Sequence, residues 1–301
     1  MHPFQERMRS IVKKMIALFL LLSIGLSGCG VHTAVEESVS GANSFTVEEF
    51  HVEKGNMQIY GKLYVPEEKN DQMPAVILSH SSDMTSDSMK SYCERIADMG
   101  CVAYAFDFCG GSSKSRSDGK RSDMTVFTEV DDLKAVLESV GQLDYVNSEN
   151  IYLFGTSQGG LVSALVADEC PEKVNGLILL YPAFNIAELV QLFYEECPLP
   201  IQNAFSKSLK GYQVYDHIGT FPGDVLILHG TMDFIVPASY SEKAEKMYEH
   251  CELHLIEGAN HGFNAENYGV GDYDEVSWKY IAQYLQSHMT NTAQSEAHAT
   301  D

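Results

Sequence analysis

Residues 151–167 constrain this chain more than any other stretch. Ile151-Tyr-Leu-Phe154 is a run of four apolar or aromatic residues suited to a short buried strand. Gly155-Thr-Ser-Gln-Gly159 follows with Gly-x-Ser-x-Gly spacing, and Leu161-Val-Ser-Ala-Leu-Val-Ala167 reads as a helix. Taken alone, the pentapeptide also fits an ordinary glycine turn. Strand, tight turn and helix in that order are the context of a nucleophile elbow. Ser157 then occupies a sharp, strained turn with its hydroxyl projecting above a sheet, and Gly155 and Gly159 leave room for close helix–strand packing. The start of the helix aims open backbone N–H groups at any negative charge that forms nearby.

The surrounding pattern extends this unit. Phe45–Glu53 and Met57–Val65 alternate around Lys54-Gly-Asn56 and predict an opening antiparallel hairpin. Ala75–Leu78 and Val102–Phe106 are continuous apolar runs, as in strands covered on both faces. Further strands are expected at Val174–Tyr181, Val225–Leu228 and Cys251–Ile256. Helices are expected at Ser86–Met99, Thr128–Val140, Ala238–Tyr248 and Asp274–Ser287. Strands alternating with helices imply an α/β domain at 45–288, its mostly parallel sheet covered by helices on both faces. Residues 184–222 interrupt the rhythm. They are rich in aromatics but show no clear strand–helix unit, and they read as a small cap insertion over the sheet. Residues 289–301 read as a polar, disordered tail.

A serine hydroxyl is a weak nucleophile until a base takes its proton. Asp233 closes Val225-Leu-Ile-Leu-His-Gly-Thr-Met-Asp233 just past a predicted strand, and His261 lies in Glu257-Gly-Ala-Asn-His-Gly262 past the next. An aspartate in a turn more often caps or solvates, and a loop histidine is more often surface. The order Ser157, Asp233, His261, each past the carboxyl end of a strand, points instead to a catalytic triad. Charge developing on a carbonyl oxygen needs donors placed beforehand. One is expected from the backbone N–H of Gln158, the other from the Ser79-His-Ser-Ser-Asp83 loop.

These runs resemble the α/β-hydrolases of the bacterial cinnamoyl/feruloyl-esterase type, within the wider serine aminopeptidase/lysophospholipase-like group. The resemblance covers roughly residues 50–288. It is carried by Ile77-Leu-Ser-His80, Phe106-Asp-Phe-Cys-Gly-Gly111 with Ser117-Asp-Gly119, Thr128-Glu129 with Asp132-Leu133, Gly155–Gly160, Leu177–Ala183 and the Asp233 and His261 segments. It implies the α/β-hydrolase fold and makes Ser82 the second oxyanion donor by position. Two positions depart from the family pattern. Ser81 stands where a glycine is usual, which bears on the geometry of the oxyanion loop. Cys109 stands where an arginine is usual, which removes an expected hydrogen-bond donor.

The N-terminus carries a different signal. Arg7, Arg9, Lys13 and Lys14 precede an apolar run at Ile16–Leu26, and Leu26-Ser-Gly-Cys29 follows. This resembles a bacterial lipoprotein signal peptide at 1–28, with Cys29 as the lipidated first mature residue. A plain secretory signal is the alternative. Residues 29–44 read as a flexible tether, and the expected location is extracytoplasmic, with the membrane reached through a lipid anchor at Cys29. The seven cysteines show neither a disulfide framework nor a zinc pattern, and Cys93 and Cys101 sit in apolar contexts as packed thiols. A net charge of −22 argues against nucleic acid or an anionic membrane surface as partner. The expected activity is hydrolysis of small-molecule esters with short-chain or hydroxycinnamoyl acids by a serine esterase, with no metal and no cofactor. A serine peptidase or lysophospholipase on the same fold is an alternative, as is a surface lipoprotein that binds without catalysis.

Overall fold

Strand β1 (Phe45–Lys54) turns at Gly55-Asn56 into β2 (Met57–Pro66), and the two pair antiparallel from Phe45↔Pro66 to Lys54↔Met57. The computed structural model describes residues 44–68, 72–196, 204–263 and 273–298, all within a compact unit spanning Ala42–Asp301. The expected signal peptide, Cys29 and the tether up to residue 43 lie outside the described residues, as do residues 197–203 of the insertion.

Six further strands follow: β3 (Met73–Ser79), β4 (Val102–Phe106), β5 (Val146–Thr156), β6 (Gly176–Leu180), β7 (Asp224–Gly230) and β8 (Cys251–Ile256). Their order in the sheet is β1-β2-β4-β3-β5-β6-β7-β8. β2 pairs antiparallel with β4, and every pairing from β4 to β8 is parallel. The central strands are buried on both faces, as continuous apolar runs require.

The alternation of side chains divides the core in two. Val76, Leu78, Phe154, Ile178 and Leu226 face helix α1 (Lys90–Asp98) and the closing helix. Ala75, Ile77, Leu153, Leu179 and Ile227 face α2 (Val126–Gly141) and α3 (Gln158–Glu169). α2 starts at a capping box in which the Thr125 and Thr128 side chains each accept the other residue's backbone N–H. Cys93 and Cys101 are packed thiols, both fully buried.

Two expectations need correction. The 184–222 segment contains helices α4 (Ile186–Glu196) and α5 (Ala204–Ser208) and a 3₁₀ turn at Val214–Asp216. Ile186, Leu189, Val190 and Phe193 have the i, i+3, i+4, i+7 spacing of one helix face, which the abundance of aromatics obscures in the sequence. Phe184 is buried in the main core, and Phe205, Tyr212 and Tyr215 pack against that core, so these aromatics contribute to the packing of the domain. After α6 (Ser239–Glu245), the closing helix α7 (Tyr273–His298) runs past residue 289 into the expected polar tail. The apolar face that predicted the helix ends earlier; Ala293, Gln294, Glu296 and Ala297 favour its continuation, whereas Thr290, Asn291, Thr292 and Ser295 do not.

Candidate active site

Ser157 sits between the end of β5 and the first residue of α3, at φ +50° and ψ −115°. That backbone conformation is costly for a residue with a side chain, and the surrounding contacts hold it. The Ser157 N–H donates to the Leu180 carbonyl of β6 (3.0 Å), and its carbonyl accepts from Ala183 N–H (2.9 Å). The flanking glycines are steric necessities. A Cβ on Gly155 would lie 2.3 Å from the Gly159 carbonyl oxygen, and one on Gly159 would lie 2.3 Å from the Ser79 carbonyl oxygen. Among the described residues, the non-glycine positions with positive φ are Asp83, Ser157, Tyr181 and Phe263. All four lie on segments that leave the carboxyl ends of strands, around Ser157, so the local strain is concentrated at this site.

The three residues that the sequence singles out come together. His261 Nε2 is 3.0 Å from Ser157 Oγ, and His261 Nδ1 is 2.7 Å from Asp233 Oδ2. Asp233 Oδ1 accepts the backbone N–H groups of Ile235 (2.9 Å) and Val236 (2.8 Å). Burial alone would raise the Asp233 carboxyl. Donation from His229 and His261 and the neighbouring positive charge outweigh it and bring the pKa down to about 2, so the group stays ionised. Tyr181 meets the His261 ring edge-on with centroids 4.8 Å apart, and Phe263 packs against Tyr181 at the same separation, which limits rotation of the imidazole.

The expected oxyanion donors occupy the same corner. Gln158 opens α3, whose first turn bonds Leu161 N–H to the Ser157 carbonyl, and a helix leaves its first N–H groups, that of Gln158 included, without an intrahelical acceptor. Ser82 is exposed in a turn closed by Met84 N–H and the Ser81 carbonyl (3.2 Å), directly after β3. Ser81 does not need to be glycine here. The positive φ of this turn falls on Asp83, and Ser81 Oγ lies 2.9 Å from Thr156 Oγ1, fastening the loop beside the nucleophile. His80 braces it from beneath, with Nδ1 2.8 Å from the Ser81 carbonyl and Nε2 accepting Phe108 N–H (3.3 Å). Burial lowers the His80 pKa, consistent with a neutral ring protonated at Nδ1.

The Cys109 departure also finds a physical answer. The Cys109 N–H donates to Asp132 Oδ2 (2.8 Å), and the Lys54 ammonium pairs with the other oxygen of that buried carboxylate. A cation therefore reaches the cluster from the β1–β2 hairpin.

Two neighbours of the site, Glu129 and His229, lie in motifs that the sequence singles out, without a role assigned to either. Glu129 is fully buried on α2 and accepts Gln158 Nε2–H (2.6 Å). Burial pushes its carboxyl up to about 8; the hydrogen bond from Gln158 opposes the rise and the Asp132 charge adds to it. His229, at the end of β7, is fully buried beside Asp233. The available signal was an ionisable residue inside an otherwise apolar strand, four positions before Asp233. Among the described residues, no group of three or more histidine, cysteine or acidic side chains is arranged to hold a metal ion.

A mostly parallel sheet in this order, with an antiparallel pair at one edge and a strained serine after β5, is the α/β-hydrolase fold. Residues 71–219 match the family described as serine aminopeptidase, S33. Est1E from Butyrivibrio proteoclasticus, in a structure with ferulic acid bound, superposes with a TM-score of 0.69 at 23% identity, over 80% of this chain and 99% of that one. An Aquifex aeolicus protein that bears the name of a carboxymethylenebutenolidase is 27% identical over 50% of this chain. The α/β-hydrolase domain-containing protein WAV2 of Arabidopsis thaliana is 25% identical over 53% of it. The chain spans 66% and 54% of the lengths of these two relatives.

Proposed function

We propose that the chain is a serine carboxylic-ester hydrolase that works through an acyl-enzyme. The observation that carries this reading is the continuous hydrogen-bond chain from Ser157 Oγ through His261 to Asp233. In the proposed mechanism, Ser157 Oγ attacks the ester carbonyl while His261 Nε2 takes its proton. Asp233 keeps the ring protonated at Nδ1 and stabilises the imidazolium. The Gln158 and Ser82 backbone N–H groups receive the oxyanion. His261 then gives its proton to the leaving alcohol, and a water molecule repeats the sequence to release the acid.

Short-chain or hydroxycinnamoyl esters are the proposed substrates. Est1E, with ferulic acid bound, supports an aromatic acid as one class. Exposed apolar side chains also lie on the segments that follow β3, β6 and β7: Met84, Leu192, Met232 and Phe234, the last 68% exposed. They suit a neutral, apolar acyl group. The family's description favours one second reading, a serine peptidase on the same site. Assays of p-nitrophenyl esters of graded acyl length, of methyl ferulate and of aminoacyl anilides separate the two. Ester turnover lost in Ser157→Ala is expected. Anilide turnover with inert esters would contradict the esterase reading.

We further propose that Cys29 carries lipid and holds the domain on the outer side of a bacterial membrane. The support is the basic, apolar, Leu-Ser-Gly-Cys order of residues 7–29.

A further inference from the structure

The His229 ring is fully buried, and both of its nitrogens have partners. Nε2 lies 2.8 Å from the Val236 carbonyl oxygen and 3.2 Å from Asp233 Oδ2. Nδ1 lies 2.7 Å from Ser241 Oγ on α6. A carbonyl oxygen only accepts, so Nε2 carries a hydrogen. That hydrogen is shared between Val236 and Asp233, and the Ser241 hydroxyl can complete the arrangement by donating to Nδ1. Asp233 Oδ2 thus faces two histidine donors, His261 on the open side and His229 from beneath, while Oδ1 is occupied by backbone N–H groups.

We infer that His229 is a positioning residue for the Ser157–His261–Asp233 chain. It holds the Asp233 carboxylate in place and takes part of the Oδ2 charge that His261 would otherwise meet alone. The inference rests on the serine-hydrolase reading above. A purely structural staple would act through the Val236 carbonyl alone and would leave the electrostatics of His261 unchanged. The titratable groups facing Asp233 are His229, His261 and Tyr181. Of these, His261 and His229 donate directly to it. Without the His229 donor, more negative charge faces His261 Nδ1, the imidazolium is favoured, and the acid limb of activity moves to higher pH.

The test uses the full chain, with p-nitrophenyl acetate as probe and a fluorophosphonate as label for Ser157. His229→Phe fills the volume but removes the donor. Its kcat is expected to fall roughly tenfold, about one charge-assisted hydrogen bond, with KM little changed. The acid limb of its kcat/KM profile is expected to rise by about half a pH unit or more. His229→Gln, which restores an N–H donor, should return the limb towards the wild-type position. If His229→Phe does not fold, Ser241→Ala loosens the ring through Nδ1 and should shift the limb in the same direction by less. A kcat/KM lowered by one factor at every pH, or an unmoved limb in both His229→Phe and Ser241→Ala, overturns the inference while the esterase reading stands. A wild-type chain that neither labels nor turns over the ester overturns both.

Discussion

At the scale of single residues, the site is built by placing polar groups where burial would normally exclude them and then satisfying them. Asp233 is buried but surrounded by donors, so it stays ionised. Glu129 is buried with one side-chain donor, Gln158, and its carboxyl is held near 8. This difference has a consequence for stability. An unfolded glutamate ionises near its ordinary value of 4.5, whereas Glu129 keeps its proton in the fold to about 8. The Glu129 contribution to folding stability is therefore fully present below about 4.5 and is lost as pH rises towards 8. Glu129→Gln keeps an acceptor for Gln158 and removes that decline. The variant should match the wild type near pH 4.5 and exceed it by an amount that grows up to about pH 8, on the order of a few kcal/mol. Thermal melts of both proteins across this range check it. An advantage independent of pH would contradict it.

At the scale of elements, the β1–β2 hairpin does more than close one edge of the sheet. Lys54, its last residue before the turn, pairs with Asp132 on α2, which also accepts the Cys109 N–H. Asp132 has no solvent-exposed side-chain surface, and burial dominates the upward shift of its pKa. Lys54→Met should therefore cost about 3 kcal/mol, because it leaves a buried carboxylate without its cation. Adding Asp132→Asn to that variant should recover much of the loss, and urea unfolding of the two variants measures it. Much of this level was legible in the sequence. The strands Val102–Phe106 and Cys251–Ile256 fall where their apolar or alternating runs place them. Ser157, Asp233 and His261 were legible because each follows a strand in one chain order. Lys54–Asp132, Glu129–Gln158 and His229–Asp233 were not read from the sequence. Each depends on side-chain packing, and two of them join residues 78 and 29 positions apart. Helix α4 was missed because its short apolar face lies among aromatics that serve the main core.

At the scale of the whole molecule, the chain combines an acidic domain with an N-terminus that reads as a lipoprotein signal. The charge of −22 disfavours adsorption to anionic lipid, so the proposed membrane attachment would rest on lipid at Cys29. Cys29→Ala expressed in a bacterial host should release the chain from membranes or leave its precursor uncleaved. Mass spectrometry of membrane-extracted protein with an unmodified Cys29 would contradict the anchor. In the proposed mechanism, Ser157 is a nucleophile activated by His261 and Asp233. The most direct measurement of that activation is the intact mass of the chain after exposure to a fluorophosphonate, with peptide mapping of the adduct. A single phosphonyl group on Ser157 is expected, abolished in Ser157→Ala and strongly slowed in His261→Ala. A chain that hydrolyses esters with Ser157 unlabelled, or whose Ser157→Ala variant keeps its esterase rate, would contradict that mechanism.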